Sequence, residues 1–188
     1  MTATLPVITE RQSPHYDDRP QAETVSLLVI HNISLPAAEF SKVPQHSYID
    51  ALFMGELDCT AHPSFAGLAG VRVSAHCVIW RDGSIFQYVP FAKRAWHAGV
   101  SSFAGRERCN DFSIGIELEG TDNLPYTDQQ YKSLINLTLI IMQRYPAITP
   151  ERIAGHCDIA PGRKTDPGTA FDWMRYRDAI KSALNKPI

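Results

Sequence analysis

The sequence predicts an α/β fold, a single domain over residues 1–188 in which a central mixed β-sheet is flanked by helices. Three observations predict it. An apolar, β-branched run at 25–34 is typical of a buried strand, and residues 71–90 have the pattern of a β-hairpin. Residues 128–145 carry apolar side chains at helical spacing. A chain of 188 residues that mixes such elements suits one layered domain.

The first elements are a strand and a long irregular segment. The run "VSLLVIHNIS" at 25–34 predicts a buried strand that ends near His31. Residues 35–70 mix Pro, Gly and short apolar pieces, and we expect one short helix in them, at 47–54. Irregular segments of this length in compact domains are often functional.

The next elements are a hairpin and a second strand. The segment "VRVSAHCVIWRDGSIFQYVP" at 71–90 predicts two antiparallel strands joined by a turn at 82–83, where Asp precedes Gly. The segment "FSIGIELEG" at 112–120 alternates apolar with small or acidic residues, which predicts a further strand. Strands that include one hairpin favour a mixed sheet over a purely parallel one.

The C-terminal third predicts two helices around a short strand. The helix at 128–145 should begin after a capping box formed by Thr127 and Gln130, and a proline ends it. Residues 151–159 follow as a short strand, and a final helix over about 172–185 places aromatic and aliphatic side chains on one face.

Composition argues against several functional classes. Hydrophobic residues make up 44% and charged residues 20%, as in an ordinary globular protein. A net charge of -2 argues against nucleic acid as the main partner, because phosphate binding needs a basic surface. We find neither a membrane-span window nor a signal peptide in the sequence. Four widely spaced cysteines without a CxxC pair predict reduced thiols in a cytoplasmic protein.

A loop dense in Pro and Gly at 155–168, "GHCDIAPGRKTDPG", carries chemically active residue types. His31 and His156 both lie near the C-terminal ends of predicted strands, and such ends open into the ligand crevice of α/β sheets. Two histidines and Asp166 are the ligand types of a catalytic zinc, which keeps its fourth position for water. The alternative is that each histidine is a surface or core-edge residue and that Asp166, which precedes a proline, initiates a turn.

Glu117 stands inside the apolar strand at 112–120 and shares a face with Glu119. Two carboxylates on one strand face fit a cleft or a metal, and a glutamate near a metal-bound water is the expected base of a zinc hydrolase. The competing interpretation is a solvated outer face of the sheet. Lys164 would direct its ammonium group at the same centre and stabilise an oxyanion. The alternative is an ordinary exposed lysine.

Four segments together carry a resemblance to a known family: "LLVIHNIS", "VSAHCVIWRDG", "AWHAGVSSFAGRERCNDFSIGIELEGTD" and "GHCDIAPGRKTDPG". They closely resemble the AmpD-type zinc N-acetylmuramoyl-L-alanine amidases, relatives of phage amidase lysozymes and peptidoglycan recognition proteins. The similarity extends from about residue 13 to about residue 177. It implies a cytoplasmic enzyme of peptidoglycan recycling that hydrolyses the lactyl–L-alanine amide of 1,6-anhydro-N-acetylmuramyl peptides.

The resemblance also implies roles for individual residues. His31, His156 and Asp166 would hold one zinc ion per chain, Glu117 would activate water, and Lys164 would stabilise the transition state. Several relatives have cysteine where Asp166 stands. Phage-type members carry a catalytic tyrosine at the position that is Ala75 here, so that role must fall to another residue, and Glu117 is the candidate.

The remaining histidines and one cysteine receive other interpretations. His76 lies on the predicted hairpin strand and is expected to be structural or to support a ligand. His97 follows an aromatic residue in a loop, which favours contact with sugar or peptide. Cys157 adjoins a predicted ligand on a predicted strand, where adjacent side chains point in opposite directions, so it is excluded as a ligand.

The implied stem peptide contains L-Ala, D-Glu and diaminopimelate, whose carboxylates favour arginine partners. Candidate substrate-binding residues lie beside the motif segments, although each arginine among them is equally open to a solvated surface position. They are Asn32, Arg72, Trp96, His97, Arg108 and Arg163. The expected partner is a small anhydro-muropeptide, with no nucleic acid or membrane, and the expected state is a monomer.

Two alternatives remain at the level of sequence. One is a non-catalytic muropeptide-binding module of the peptidoglycan-recognition type, although all the ligand positions are present here. The other is a cell-wall amidase that acts on intact murein, against which we weigh the absence of a signal sequence and the four thiols.

Overall fold

The computed structural model describes residues 7–185, and its centre is a six-stranded sheet. Ten strands are numbered along the chain. They are β1 Ile8–Glu10, β2 Tyr16–Asp17, β3 Leu27–Ile33, β4 Cys77–Ile79, β5 Ile85–Gln87, β6 Arg94–Ala95, β7 Ser102–Phe103, β8 Arg106–Glu107, β9 Ser113–Glu119 and β10 Ile153–Gly155. The main sheet has the order β1-β5-β4-β9-β3-β10, while β2 pairs with β6 and β7 pairs with β8.

The sheet is mixed, as the sequence predicts. β4 and β5 are antiparallel, and the pairs β1–β5, β4–β9, β9–β3 and β3–β10 are parallel. The register of β3 and β9 places His31 directly beside Glu117. Because parallel strands end at the same edge, the carboxyl ends of β3, β9 and β10 come together there.

Within residues 7–185, four α-helices cover the sheet: α1 Tyr48–Met54, α2 Asp128–Arg144, α3 His156–Ile159 and α4 Trp173–Leu184. α2 and α4 pack on the face that carries Leu28, Ile30, Ile114 and Ile116. α1 packs in a separate cluster with Val78, Trp80 and Tyr88. Among the described residues, no helix combines the length and the apolar character needed to cross a membrane.

Side-chain alternation along β3 positions the site. Leu28 and Ile30 enter the core beneath α2 and α4, whereas Leu27 and Val29 face the opposite side. His31 continues that second face and is 1% exposed, because His97 in the loop after β6, His156 in α3 and Asp166 in the loop after α3 contact it. The strand therefore carries a buried histidine at the end of an apolar row.

Several predicted elements are confirmed with shorter bounds. β3 and β9 lie within their predicted segments, and the turn at 82–83 connects β4 to β5. Thr127 and Gln130 form the predicted capping box at the start of α2. The predicted strand at 151–159 is confirmed only at Ile153–Gly155, because a 3-10 turn occupies Pro150–Arg152 and a one-turn helix begins at His156.

Candidate metal centre and active site

Three side chains with metal-ligating atoms meet at the carboxyl edge of the sheet. His31 lies near the end of β3, His156 is the first residue of α3 after β10, and Asp166 lies in the loop that follows α3. His31 Nδ1 is 2.9 Å from His156 Nδ1 and 3.1 Å from Asp166 Oδ2, and His156 Nδ1 is 3.0 Å from the same oxygen. Among the described residues, these three form a group able to bind a metal ion.

The geometry fits a small cation. The three atoms form a nearly equilateral triangle, close to the roughly 3.3 Å edge of a tetrahedron with zinc–ligand bonds of about 2.0–2.1 Å. Burial lowers the pKa of His31 to about 4, so its imidazole is neutral at pH 7 and has a lone pair to offer. Lone pairs that converge in this way repel one another unless a proton or a cation lies between them.

Asp166 is ionised in this setting, and a backbone hydrogen bond to Cys157 fixes its position. Burial of its side chain opposes ionisation, but the close contacts with His156 and His31 outweigh it and lower the pKa of the carboxyl. The carbonyl of Asp166 accepts a hydrogen bond of 2.9 Å from the backbone N–H of Cys157. This hydrogen bond connects the loop that carries Asp166 to the start of α3.

Cys157 itself is not part of the metal-binding group, as the sequence predicts, but the predicted reason is wrong. Cys157 lies in α3 and not on a strand, so strand alternation does not apply to it. Its thiol lies 3.8 Å from a carboxylate oxygen of Asp158. Burial, together with the charges of Asp158 and Asp166, raises the pKa of the thiol.

Glu117 is the carboxylate nearest to the metal-binding group that does not belong to it. Its Oε1 lies 4.0 Å from His31 Nδ1, and its Oε2 is buried with no hydrogen-bond partner. Burial raises the pKa of Glu117 well above the usual value, and the charge of Asp166 adds to the rise, whereas Lys164 opposes it. A solvated outer face, the alternative considered from the sequence, is excluded because the side chain is only 12% exposed.

Glu119 faces the same side of β9 but serves a different purpose. Its carboxylate accepts hydrogen bonds from the backbone N–H groups of Ser41, at 2.8 Å, and Arg81, at 3.2 Å. It therefore ties the irregular segment at 35–70 to the sheet. Its oxygens are occupied, in contrast to those of Glu117.

Lys164 and Asn32 lie beside Asp166 in an open hollow of about 590 Å³. Lys164 is exposed, and its charge lowers the pKa values of both His31 and Glu117, which places it within electrostatic reach of the site. Asn32 donates a hydrogen bond of 2.8 Å to Asp122, so its amide is held in one orientation and its oxygen faces away from that partner. Their predicted roles in stabilising the transition state and binding substrate stay predictions.

Two predicted arginines line a second hollow of about 580 Å³. Arg108 is 71% exposed, and its Nε lies 3.1 Å from Asp111. Arg163 lines both hollows, but its Nη2 donates to the carbonyls of Ala98, at 2.6 Å, and Val100, at 2.7 Å. Arg163 is therefore engaged in holding a loop, which the sequence did not indicate.

Three predicted substrate contacts lie elsewhere in the structure. His97 is buried, and both its ring nitrogens are taken, Nδ1 by His31 at 2.9 Å and Nε2 by the Ser113 hydroxyl at 3.1 Å. Trp96 donates its indole N–H to Asp17, stacks against a different histidine and lines neither hollow. Arg72 lines a separate hollow of about 150 Å³. A loop position beside a motif did not predict which way these side chains point.

His76 is tied to the backbone of β9. It is fully buried, and its Nδ1 accepts a hydrogen bond of 3.0 Å from the backbone N–H of Gly115. Burial lowers its pKa to about 3, so the ring is neutral.

Comparison with known proteins places the geometry in context. A family profile described as N-acetylmuramoyl-L-alanine amidase matches residues 21–169. The chain is 63% identical over 176 residues to the 1,6-anhydro-N-acetylmuramyl-L-alanine amidase AmpD of Citrobacter freundii, covering 94% of this chain and 91% of that relative.

Solved structures agree with the sequence comparison. A crystal structure of a selenomethionine derivative of AmpD matches with a TM-score of 0.88 at 61% identity, covering 96% of this chain and 98% of that one. The amidase AmiD of Escherichia coli, in complex with the substrate anhydro-N-acetylmuramic acid-L-Ala-D-γ-Glu-L-Lys, matches with a TM-score of 0.60 at 32% identity. That match covers 86% of this chain and 60% of AmiD.

Proposed function

This chain belongs to the N-acetylmuramoyl-L-alanine amidase family, and from this premise we propose that it hydrolyses the lactyl–L-alanine amide of 1,6-anhydro-N-acetylmuramyl peptides. The observation that carries the proposal is the meeting of His31, His156 and Asp166 within 3.1 Å of one another, with the unpartnered carboxylate of Glu117 beside them. A non-catalytic muropeptide-binding module would have no use for a buried, unpaired carboxylate at this place.

We assign one zinc ion per chain to His31, His156 and Asp166. Two neutral imidazoles and one carboxylate are the donors of many catalytic zinc sites, and the small triangle favours a small cation over calcium. Zinc, when bound, lowers the pKa of a water molecule at its open position to about 7 and so supplies a nucleophile at neutral pH.

Glu117 acts first as the general base and then as the general acid of the reaction. Its carboxylate accepts a proton from the attacking water as the new C–O bond forms at the lactyl carbonyl carbon. It then returns that proton to the alanine nitrogen as the C–N bond breaks. Burial and the charge of Asp166 raise the pKa of Glu117, which makes its carboxylate a better proton acceptor than an exposed glutamate. The products are the free lactyl carboxylate and the free amino group of the stem peptide.

Lys164 stabilises the oxyanion that develops on the carbonyl oxygen. Its ammonium lies on the exposed side of the site, in the hollow that also contains Asp166. A fixed positive charge aimed at a developing negative charge lowers the barrier without any change in the ground state.

The two hollows provide room for the substrate. We place the stem peptide in the hollow lined by Arg108 and Arg163, because its carboxylates need cationic partners. The oxygen of Asn32, which faces away from Asp122, is placed to accept an amide N–H of the substrate.

We also propose the setting in which the protein acts. The four cysteines are free thiols in the structure, which supports a reducing compartment such as the cytoplasm. A small anhydro-muropeptide is proposed as the partner of a monomeric enzyme, with no nucleic acid or membrane. The net charge of -2 supports the exclusion of nucleic acid.

Metal analysis joined to a product assay tests the proposal. The purified protein should contain one equivalent of zinc and release intact stem peptide and free anhydro-sugar from anhydro-muropeptide. Removal of zinc by a chelator should abolish release, and added zinc should restore it. Release of free D-alanine instead would indicate a carboxypeptidase and refute the assignment.

A further inference from the structure

Each of the two proposed ligand histidines contacts one of two consecutive residues through Nε2, the ring nitrogen that points away from the metal-binding group. His31 turns its Nε2 away from the metal-binding group and towards His97 Nδ1, at 2.9 Å. His156 turns its Nε2 towards the backbone carbonyl of Ala98, at 3.2 Å. The side chain of His97 therefore contacts the ring of His31, and the carbonyl of the next residue, Ala98, contacts the ring of His156. We call His97 and Ala98 the 97–98 bracket.

The contact with the carbonyl of Ala98 shows which nitrogen of His156 carries a proton. A carbonyl oxygen only accepts hydrogen bonds, so His156 donates from Nε2 and keeps a lone pair on Nδ1. Arg163 donates to the same carbonyl at 2.6 Å, and a carbonyl with two lone pairs accommodates both donors. The 3.4 Å separation between Arg163 Nη2 and His156 Nε2 reflects their shared acceptor.

The corresponding chain on the His31 side runs through two side chains. When zinc binds Nδ1 of His31, the ring carries its proton on Nε2 and donates it to His97 Nδ1, and Nε2 of His97 donates to the hydroxyl of Ser113, 3.1 Å away. This direction leaves the Nδ1 lone pair of His31 facing Asp166 and His156. Both contacts therefore favour the tautomer that a metal bound at Nδ1 requires.

The bracket is itself held rigidly. The side-chain oxygen of Asn110 accepts hydrogen bonds from the backbone N–H groups of His97, at 3.1 Å, and Ala98, at 2.8 Å. The His97 ring packs against Gly115 so closely that a Cβ atom there would lie 2.5 Å from it. Only glycine leaves room for the ring at this point of β9.

We infer that the 97–98 bracket, held by Asn110, positions both histidine ligands and sets their tautomers for zinc. The inference rests on the metal site proposed above and assigns His97 a positioning role in place of substrate contact. Partners that orient metal ligands in this way typically contribute 10–100-fold in metal affinity.

The test compares two substitutions of similar size. His97→Asn keeps an acceptor near the position of Nδ1, whereas His97→Leu removes it, and both lose the contact with Ser113. We expect His97→Leu to raise the zinc dissociation constant about 10–100-fold, measured by competition with a chelator, and His97→Asn to restore most of the affinity. Asn110→Ala, at a partly exposed position, should weaken zinc binding in the same direction.

A matched control separates positioning from loss of packing. His15 is also 9% exposed and contacts a backbone carbonyl, that of Val73, outside the metal-binding group. His15→Leu should lower the melting temperature of the metal-free protein but leave the zinc dissociation constant unchanged. Histidine tautomers in the wild-type protein, measured by nitrogen-15 NMR, give a readout that needs no variant to fold.

The inference predicts that His31 and His156 both carry the proton on Nε2 in the zinc-loaded protein. Unchanged zinc affinity in His97→Leu, or a spectrum of the zinc-loaded wild-type protein with the proton on Nδ1 of either ligand, would overturn it. A wild-type protein that binds no zinc would instead refute the metal site on which the inference rests.

Discussion

Replacing Glu117 with glutamine should remove the proton acceptor of the reaction while leaving the shape of the site intact. The side chain is 12% exposed, and one of its oxygens lies 4.0 Å from His31 Nδ1. General-base catalysis is typically worth about 10²–10⁴-fold in rate. The expected loss in kcat therefore corresponds to about 2.7–5.5 kcal/mol of transition-state stabilisation.

The same substitution should not weaken the fold. Glu117 Oε2 is buried with no hydrogen-bond partner, so the carboxylate contributes little to the stability of the folded state, and its charge is costly to bury. Glutamine is neutral and of the same size. The melting temperature of the metal-free protein should therefore stay the same or rise, and the zinc content of the purified variant should be unchanged.

The assay measures release of stem peptide by chromatography under saturating anhydro-muropeptide, together with zinc content and thermal unfolding. Glu119→Gln is the matched control, since Glu119 lies on the same face of β9 but accepts backbone hydrogen bonds from Ser41 and Arg81. It should lose stability and retain most of its kcat. A loss of less than about tenfold in Glu117→Gln would refute the reasoning, because general-base catalysis accounts for about 100-fold or more.

Three further predictions concern the metal, the oxyanion and the peptide. Asp166→Ala should lose stoichiometric zinc and activity together, measured by metal analysis and product release, and a variant that keeps both would contradict the ligand set. Lys164→Met should lower kcat about 10²–10³-fold with zinc content unchanged, as for loss of one oxyanion donor, and a change in KM alone would point to substrate binding instead. Arg108→Ala should lower kcat/KM on substrates that carry diaminopimelate. The loss should be about tenfold, the lower end for a hydrogen bond to a charged group, because Arg108 is 71% exposed and its Nε already pairs with Asp111. Muramyl-L-Ala-D-Glu should be affected much less, and equal losses on both substrates would remove the peptide assignment.

The sequence predicts the sheet and its ligands where local pattern is strong. A continuous β-branched run predicts β3, and alternation with a period of two predicts β9. The register of these two strands then places His31 beside Glu117. The capping box of α2 is equally local, because Thr127 and Gln130 lie three residues apart.

At the start of α3 the local sequence pattern predicts a strand, but the structure has a helix. Residues 151–159 are apolar enough to predict one strand, yet the Asp158 carboxylate accepts a hydrogen bond of 2.7 Å from the backbone N–H of Gly155. That contact caps a helix at His156. An acidic residue three positions after a glycine is a weak helix-start signal beside an apolar run, so the strand was favoured.

The surroundings of His97 could not be predicted because they depend on contacts between distant parts of the chain. Its ring reaches Ser113 and packs on Gly115, and its backbone is held by Asn110. Each of these residues is more than ten positions away along the chain. A histidine after an aromatic residue in a loop gives no sign of such partners, so substrate contact was the simpler interpretation.

The central claim is that the chain hydrolyses one particular amide bond, and labelled water tests it most directly. The zinc-loaded protein is incubated with anhydro-muropeptide in oxygen-18 water, and both products are weighed by mass spectrometry. We predict one labelled oxygen in the lactyl carboxylate of the anhydro-sugar and none in the stem peptide. A label in the peptide, or in a sugar hydroxyl, would show that a different bond is cut and would contradict the account.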